Sequence, residues 1–250
     1  MSNSPQVLAV IPARFGSTRF PAKVLAQLGG KPMIQWVFEA ARQCREIDAI
    51  LVATDDERVR DTVTAFGGEA IMTSADHQTG TDRLVEVATG RPDFGIVVNI
   101  QGDEPGIEPD LIDGVVRLKR DRPDLAVTTA ARPFSADENP DDPNRVKVVL
   151  SRGTRALYFS RSRIPFERNT TDLPVYLHLG IYAYDRPFLL DFPKLPPSAL
   201  ERSESLEQLR VLENDASIGV HLVAGSLPGV DTPEDLEKME AALKAQGRIS

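Results

Sequence analysis

Three basic residues lie close together in a short stretch near the amino terminus: Arg14, Arg19 and Lys23. The same stretch contains Gly16-Ser17-Thr18, whose backbone N–H groups could donate hydrogen bonds to phosphate oxygens. The chain as a whole has 37 Asp and Glu against 29 Lys and Arg, so its composition does not explain this local positive charge. The stretch is neither a Walker A motif nor a dinucleotide fingerprint, because it has one glycine and no Gly-Lys-Ser/Thr. A polyphosphate-binding loop and a solvated surface loop are both compatible with these residues.

The segment before this stretch predicts where it lies. Residues 7–11 are a short aliphatic run that ends at Pro12, which is typical of a buried parallel strand. Ligands of open α/β sheets bind outside the carboxyl ends of such strands. We therefore expect the basic stretch at the ligand-binding edge of a sheet.

A second strand leads to the first candidate metal ligand. The apolar run 95–100 predicts a central strand and continues directly into Gln101, Gly102 and Asp103. Asp103 is thus expected at the same edge of the sheet. Magnesium prefers one or two carboxylates together with phosphate oxygens and water, so Asp103 is a candidate Mg²⁺ ligand. The alternative is a carboxylate that accepts hydrogen bonds within its own turn.

Asp231 is a second candidate carboxylate. It precedes Thr232, the predicted N-cap of a final helix that starts at Pro233, so helix capping does not account for it. Two aspartates from distant segments can share one metal, but spacing alone leaves open whether these two meet. By contrast, Thr54-Asp55-Asp56-Glu57 is typical of a capping box, and we interpret its paired aspartates as structural.

Two polar segments are candidates for substrate binding. Residues 74–83 follow a predicted edge strand and lead into a predicted helix, so their amides and hydroxyls could contact a nucleobase, whereas His77 among them is interpreted as a surface histidine. In the predicted strand 176–184, alternation places one polar set on a single face: His178, Gly180, Tyr182 and Tyr184. That face suits a hydroxylated substrate, and a half-exposed sheet face is the alternative.

Strand-like runs alternate with amphipathic helical patterns, which is typical of βαβ units. These runs are 49–54, 69–72, 95–100 and 126–131. The first helix is predicted to start at Lys31-Pro32, with Pro32 at the first helical position. The 250 residues suit one domain of the α/β class, with a mostly parallel twisted sheet and helices on both faces.

Composition narrows the class of protein and its location. A formal net charge of −8 argues against a general nucleic-acid-binding surface. No segment approaches the length of a membrane span, and the amino terminus lacks the basic and apolar regions of a leader. Cys44 is the only cysteine, and we interpret it as an ordinary reduced thiol. We expect a cytoplasmic protein that neither binds nucleic acid nor inserts into a membrane.

Together, the motifs resemble the 3-deoxy-manno-octulosonate cytidylyltransferases, also called CMP-KDO synthetases, along nearly the whole chain. The first motif alone would admit several sugar nucleotidyltransferases, whereas the set is specific to this family. The matching segments are 11–19, 52–56, 75–83, 99–105, 144–149, 157–161, 178–182, 206–210 and 229–236.

The resemblance implies a nucleotide-diphospho-sugar transferase-like fold in which residues 132–190 carry sugar-pocket and dimerisation elements as a smaller sheet region. It implies that the anomeric hydroxyl of KDO attacks the α-phosphorus of CTP, giving CMP-KDO and pyrophosphate for lipopolysaccharide biosynthesis. Mg²⁺ as the cofactor and a homodimer as the assembly are implied in the same way. The alternatives are CMP-activation of 8-amino-KDO or another sugar acid, and a non-catalytic nucleotide-binding homologue.

The resemblance also implies roles for residues of the matching motifs. The catalytic set would be Arg14, Lys23, Asp103 and Asp231, with the two aspartates holding Mg²⁺. The nucleotide-binding residues would be Ala13, Arg14, Gly16, Ser17, Arg19, Lys23, Ser74, Thr79, Gly80 and Arg83. The sugar-binding residues would be Gln101, Arg161, His178, Tyr182 and Glu207, with Arg161 a candidate partner of the substrate carboxylate.

The first loop departs from the family pattern at two positions. The family usually has Pro-Gly-Lys-Pro-Leu where this chain has Pro21-Ala22-Lys23-Val24-Leu25. If the family glycine adopts a positive φ, Ala22 in its place costs on the order of 1 kcal/mol or shifts the loop slightly. Lys23 itself is retained.

Overall fold

The computed structural model of the chain describes residues 4–16, 20–169 and 171–249. Ser17, Thr18 and Arg19, which the sequence places in the phosphate-binding stretch, lie outside the described residues. The chain divides into two compact units, Met1–Asp113 with Ser226–Ser250 and Gly114–Gly225. That the chain forms one functional domain stays a prediction.

Strands and helices alternate from residue 49 to residue 133, as the sequence predicts. The strands are β1 (Gln6–Pro12), β2 (Gln27–Leu28), β3 (Lys31–Pro32), β4 (Ala49–Thr54), β5 (Ala70–Met72), β6 (Phe94–Asn99), β7 (Val127–Pro133), β8 (Lys147–Leu150), β9 (Ala156–Ser160), β10 (Tyr176–Asp185) and β11 (Ile218–Leu222). The helices are α1 (Met33–Arg42), α2 (Glu57–Ala65), α3 (Gly80–Thr89), α4 (Pro109–Asp121), α5 (Arg186–Asp191), α6 (Ala199–Glu204), α7 (Gln208–Glu213) and α8 (Pro233–Ala245). Short 3₁₀ turns cover Lys23–Leu25 and Phe192–Lys194.

The first unit is built on a parallel sheet. β1 lies between β4 and β6, and β5 pairs with β4, all in parallel. The aliphatic residues of β1 are fully buried, as expected for a central strand covered on both faces. The mostly parallel α/β class is therefore confirmed, and the loops that follow β1 and β6 leave from the carboxyl ends of neighbouring strands.

The start of the first helix differs from the prediction. α1 begins at Met33, and Pro32 is its N-cap in an extended conformation, with φ −61° and ψ 143°. Pro32 also pairs with Gln27 in the small β2–β3 hairpin, which holds it out of the helix. One face of α1 is buried through four side chains: Ile34, Val37, Phe38 and Ala41.

Of the two capping boxes that the sequence predicts, the one at α8 is confirmed. Thr232 and Asp235 form the predicted box of α8, with Pro233 in the first turn. At α2, however, the predicted box is wrong, because Asp56 is the N-cap and accepts a hydrogen bond from the Arg58 backbone N–H. Thr54 instead ends β4. The structural interpretation of Asp56 still holds, since the residue caps a helix.

The strands of the second unit pair in both parallel and antiparallel directions. β7 pairs with β10 in antiparallel and with β11 in parallel fashion, while β8 pairs with both β10 and β9 in antiparallel fashion. The register of β10 against β7 shifts between Leu179 and Tyr182, which marks a β-bulge. No helix among the described residues is long and apolar enough to cross a membrane.

Candidate active site

One lysine lies between two carboxylates at the edge of the first unit. The Lys23 Nζ atom is 2.7 Å from Asp103 Oδ2 and 3.0 Å from Asp231 Oδ1. Lys23 ends the basic stretch and opens a 3₁₀ turn, Asp103 follows β6, and Asp231 precedes α8. The structure thus brings together residues that are 80 and 208 positions apart.

Close backbone packing holds these segments in place. A Cβ atom on Gly102 would lie 2.9 Å from the carbonyl oxygen of Pro12, so glycine lets the Asp103 turn approach the end of β1. The Val230 N–H donates to the Asp103 carbonyl oxygen at 2.9 Å. Asp235 extends its capping role by accepting from the backbone N–H of Asp231 at 3.2 Å. Both carboxylates therefore stand on backbone that is fixed by short contacts.

The charges of this cluster favour a cation between the aspartates. Burial acts to lower the pKa of Lys23, but the charges and hydrogen bonds of Asp103 and Asp231 outweigh it and raise that pKa above its ordinary value. The Lys23 ammonium is therefore charged, with its side chain only 11% exposed. Carboxylate oxygens arranged around one cation are the donor type that Mg²⁺ binds. No group of three His, Cys, Asp or Glu side chains suited to a metal occurs in the described parts of the chain.

Glu104 stands next to this cluster and has a strongly perturbed carboxyl group. Burial, reinforced by the charge of Asp103, raises the pKa of Glu104 to about 8. Its carboxyl is thus largely neutral at pH 7, unlike a carboxylate that binds a metal. The sequence places Glu104 beside Asp103, but only the fold buries its carboxyl group.

The basic stretch, called the basic loop from here on, is hydrogen-bonded to the loop 74–83. Arg14 Nη2 donates to the carbonyl oxygen of His77 at 2.7 Å, and the Ala13 N–H donates to Ala53 O at 2.9 Å. Gly16 is exposed, and a Cβ atom built on it would meet no atom of the described residues within 4 Å. The structure therefore brings together two segments that the sequence singled out independently.

A stacking contact on this loop was not foreseen. The guanidinium of Arg58 lies over the Phe15 ring, 3.4 Å from the ring centroid, and also binds both carboxylate oxygens of Asp56. The Phe15 carbonyl accepts from the Ala22 N–H at 3.1 Å. An aromatic residue within the basic stretch was the available sequence signal, but its partner on α2 is close only in the folded chain.

The loop 74–83 ends in the N-terminus of α3. Thr79 caps this helix in a reciprocal capping box with Asp82, and Gly80 is its first residue. The Ser74 N–H donates to Glu86 at 3.0 Å, and His77 contacts the same carboxylate. The positive end of α3 and the loop amides therefore lie beside the basic loop, an arrangement suited to an anionic ligand.

The Arg83 side chain is buried, whereas a residue that contacts the nucleotide directly is expected to be accessible. In this buried position the Arg83 guanidinium binds Asp55 at 2.9 Å and contacts the Thr73 hydroxyl. The guanidinium thus ties α3 to the ends of β4 and β5, and a direct contact between it and a nucleotide is at odds with this burial. Asp55 is structural, as interpreted from the sequence, although its partner is Arg83.

The predicted sugar-binding residues are divided between the units. Gln101 follows β6 in the first unit, whereas four lie in the second: Arg161, His178, Tyr182 and Glu207. The His178 and Tyr182 rings are neighbours, with centroids 5.5 Å apart, and Tyr184 lies next to Tyr182 at 5.8 Å. The predicted face of aromatic and imidazole rings on β10 is therefore present.

Arg161 is held by backbone carbonyls. Its guanidinium donates to the carbonyl oxygens of Glu204 at 2.6 Å, Pro143 at 3.0 Å and Ser205 at 3.2 Å. The Glu204 carboxylate accepts in turn from the Ser160 hydroxyl and from the Arg161 N–H. This arrangement braces the segment just before Glu207 and α7. Glu204 was not singled out from the sequence, where no spacing relates it to Arg161.

Cys44 has the environment of an unreactive thiol. Burial, together with the charges of Asp113 and Asp110, raises the pKa of Cys44 to about 12. Its Sγ atom lies within hydrogen-bonding distance of the Ala40 and Pro109 carbonyl oxygens. The thiol is therefore protonated at neutral pH, in agreement with its interpretation as an ordinary cysteine.

Ala22, which stands where the family usually has glycine, adopts the left-handed conformation. Its φ is 54° and its ψ is 27°, immediately before Lys23. A Cβ atom in this region is strained, whereas glycine is not. Alanine is therefore accommodated here with the loop still in the conformation that favours glycine.

Ala22→Gly is expected to raise the free energy of unfolding by about 1 kcal/mol, because it removes that strain. Urea denaturation with one spectroscopic probe measures the change. Ala26→Gly is the matched control: Ala26 has φ −59° and ψ 138°, so glycine there should lower stability. An Ala22→Gly protein no more stable than the parent would show that the loop carries no strain.

Comparison with known families places the chain clearly. A family model described as cytidylyltransferase matches residues 8–218. A 3-deoxy-manno-octulosonate cytidylyltransferase of Leptospira biflexa is 54% identical over 246 residues, which cover 98% of this chain and 100% of the relative. An 8-amino-3,8-dideoxy-manno-octulosonate cytidylyltransferase of Shewanella sediminis is 48% identical over 240 residues, 95% of this chain and 98% of that one.

Solved structures agree with this relationship. A structure of CMP:2-keto-3-deoxy-manno-octonic acid synthetase complexed with CTP superposes with a TM-score of 0.93 at 47% identity, covering 96% of this chain and 99% of that one. A 4-diphosphocytidyl-2C-methyl-D-erythritol synthase from Anaerococcus prevotii superposes with a TM-score of 0.66 at 17% identity, covering 97% of this chain and 100% of that one. The second likeness shows a common fold alone.

Proposed function

We propose, on the premise that the chain belongs to the 3-deoxy-manno-octulosonate cytidylyltransferase family, that it activates KDO with CTP and releases CMP-KDO and pyrophosphate. The observation that carries this proposal is the Lys23 ammonium held between Asp103 and Asp231, beside the loop of Arg14. CMP-KDO would supply lipopolysaccharide biosynthesis, and the use of CTP as a substrate supports a cytoplasmic location for the reaction.

The reaction asks for positioning and charge neutralisation. A bond forms between the anomeric oxygen of KDO and the α-phosphorus, and the hydroxyl proton passes to water. The bond from that phosphorus to the bridging oxygen breaks, and pyrophosphate leaves with the electron pair. Arg14 and Lys23 would bind the triphosphate and balance its charge. We assign no dedicated general base, because carboxylates that bind a metal are weak bases.

Asp103 and Asp231 would hold Mg²⁺. The donor set fits, since two carboxylates converge on one cation while water and phosphate oxygens can complete the coordination. Bound there, the ion supplies positive charge to the phosphate oxygens. Lys23 would then exchange its two carboxylate partners for phosphate oxygens.

The nucleotide would lie along the loops after β1 and β5. The backbone N–H groups of Gly16 and Gly80 suit phosphate or base oxygens, and the capped N-terminus of α3 adds a positive dipole. The Thr79 N–H already donates to Asp82 in the capping box, so Thr79 would contribute through the position of its loop. Ser74 contributes a hydroxyl to the same loop. The hydrogen bond from Arg14 to His77 O ties the two loops, so both would respond to one bound nucleotide.

The contacts of the sugar acid are proposed from the family resemblance. Its proposed contacts are Gln101, Arg161, His178, Tyr182 and Glu207. KDO is the favoured substrate, because the Leptospira relative that bears its name is 54% identical, against 48% for the 8-amino-KDO enzyme of Shewanella. The latter keeps 8-amino-KDO as the second candidate.

Pyrophosphate release tests this function directly. The protein is incubated with CTP, Mg²⁺ and one of three acceptors, namely KDO, 8-amino-KDO or N-acetylneuraminate, with EDTA as the control. We expect release with KDO and its loss with EDTA. Release with 8-amino-KDO alone would keep the reaction and change the substrate, while CTP binding without release from any acceptor would contradict enzymatic activity.

A homodimer is proposed as the working assembly. Its support is the exposure of large apolar side chains on the second unit, with Phe166 87% exposed and Leu173 60% exposed. Both line one groove, together with the aliphatic parts of neighbouring residues such as Arg163. A second copy of the chain covering this groove would remove that apolar surface from water.

Phe166→Ser is expected to shift the protein from dimer to monomer at micromolar concentration, because it removes the most exposed apolar side chain of this groove. Size-exclusion chromatography with light scattering measures the mass. Leu200→Ser is the control, since Leu200 is 38% exposed on α6 outside the groove and should leave the assembly unchanged. A parent protein that is already monomeric would contradict the proposed dimer.

A further inference from the structure

The hydroxyl of Thr129 lies at the bulge of β10 and contacts three groups. Thr129 is a fully buried residue of β7. Its Oγ1 is 2.7 Å from Ile181 O, 3.2 Å from Leu179 O and 3.0 Å from His178 Nε2. The register shift between Leu179 and Tyr182 explains why a side chain, and not the strand ladder, reaches these carbonyls.

The number of protons available decides the direction of these hydrogen bonds. A threonine hydroxyl has one proton, and carbonyl oxygens only accept. If the hydroxyl donated to His178, its lone pairs would face the Ile181 oxygen at 2.7 Å without a proton between them. The hydroxyl therefore donates to Ile181 O, and its oxygen accepts from Nε2, which must carry the proton.

The imidazole of His178 is neutral in this environment. Burial lowers the pKa of His178 to about 3. The ring packs against fully buried Phe159 in a T-shaped arrangement, with centroids 5.0 Å apart, and it also lies next to the Tyr182 ring. A neutral ring protonated at Nε2 has its lone pair at Nδ1.

We propose that Thr129 is a positioning residue that holds His178 in the Nε2–H tautomer, so that Nδ1 accepts a hydrogen bond from a hydroxyl or amine of the sugar acid. The identity of that ligand rests on the proposed function, whereas the tautomer rests on the contacts of Thr129. A lone pair repels a carboxylate, so the acidic end of the substrate binds away from His178. His178 thus selects a hydrogen-bond donor group of the substrate and orients the sugar.

The tautomer is measurable in the free protein. Two-bond proton–nitrogen correlation NMR of histidine-labelled protein at neutral pH distinguishes the two ring nitrogens, and loss of one signal set in His178→Asn assigns them. We expect a protonated Nε2 and an unprotonated Nδ1. An Nδ1–H tautomer or an imidazolium would overturn the proposal, whatever the enzyme turns over.

Two variants test the role of the hydroxyl. Thr129→Val keeps the shape of the side chain without the hydroxyl, so we expect a mixture of tautomers and a KM for the sugar acid that rises about tenfold with an unchanged KM for CTP, as for one lost ligand hydrogen bond. Thr129→Ser keeps the hydroxyl and should restore both the tautomer and KM. A Thr129→Val protein with the parent tautomer would overturn the role of Thr129, and an altered tautomer with the parent KM would overturn the contact with the sugar.

These outcomes separate the inference from the proposed function. If no sugar acid is turned over, the proposed function fails, while NMR of the free protein still decides the tautomer. If Thr129→Val does not fold, the parent protein and Thr129→Ser decide it. Addition of KDO to the parent should in addition shift the Nδ1 resonance, and an unshifted signal with bound KDO would overturn the proposed contact.

Discussion

Asp103→Asn is expected to lower kcat by about a hundredfold to a thousandfold, because it removes a carboxylate ligand of the Mg²⁺ ion that would balance the charge of the triphosphate. Asp103 Oδ2 lies 2.7 Å from the Lys23 ammonium. Asparagine keeps the shape of the side chain but is a poor ligand for a hard divalent cation. We also expect the Mg²⁺ concentration required for half-maximal rate to rise.

The fold should survive this substitution. The Asp103 side chain is 34% exposed, and the hydrogen bond that ties its segment to Val230 is made by the backbone. Pyrophosphate release at saturating CTP and KDO measures the rate, while thermal unfolding checks the fold. Asp231→Asn should act in the same direction, since its carboxylate faces the same ammonium at 3.0 Å.

Asp110→Asn is the matched control for both variants. Asp110 is an exposed acid in the first turn of α4, and its loss should leave the rate unchanged. Near-normal turnover by Asp103→Asn or Asp231→Asn would remove that residue from the proposed metal site. An equal loss in the Asp110 variant would instead point to a general effect of charge.

Lys23→Met is expected to lower kcat/KM for CTP by about a hundredfold or more, because it removes a cation that would bind the triphosphate. The variant also has a second consequence in the absence of substrate. Asp103 and Asp231 lose the ammonium that lies between them, so two carboxylates face each other without a counter-charge. Added Mg²⁺ should therefore raise the melting temperature of Lys23→Met more than that of the parent.

Thermal unfolding with and without Mg²⁺ separates this effect from the loss of activity. Lys31→Met serves as the control, since Lys31 pairs with Glu39 at 2.8 Å on the surface and should leave both turnover and the Mg²⁺ response unchanged. If Mg²⁺ stabilised Lys23→Met and the parent equally, the two aspartates would not form a cation site. Retained turnover in Lys23→Met would contradict its role toward the triphosphate.

The two variants report on different parts of one site. Loss of a carboxylate should alter the Mg²⁺ requirement of catalysis, whereas loss of the ammonium should alter the Mg²⁺ response of the free protein. A metal held elsewhere would produce neither pattern. The comparison therefore locates the cation independently of the identity of the sugar acid.

Much of the architecture follows from local patterns. The predicted strands all occur, with ends within two residues of those observed, because buried strands require short aliphatic runs bounded by turn residues. The caps of α3 and α8 involve residues three positions apart, so they too are local. Where two local signals compete, as at Pro32, pairing in the β2–β3 hairpin decided the helix start.

The sequence by itself determined which elements the candidate site residues adjoin along the chain. The basic stretch follows β1, Asp103 follows β6, and Asp231 precedes α8. The family resemblance named the residues of the site. Tertiary structure decided that Lys23 lies between two aspartates, that the Arg83 side chain is buried, and that Thr129 reaches His178. These contacts join positions far apart in the chain, and they depend on sheet packing and on a β-bulge, which no local spacing encodes.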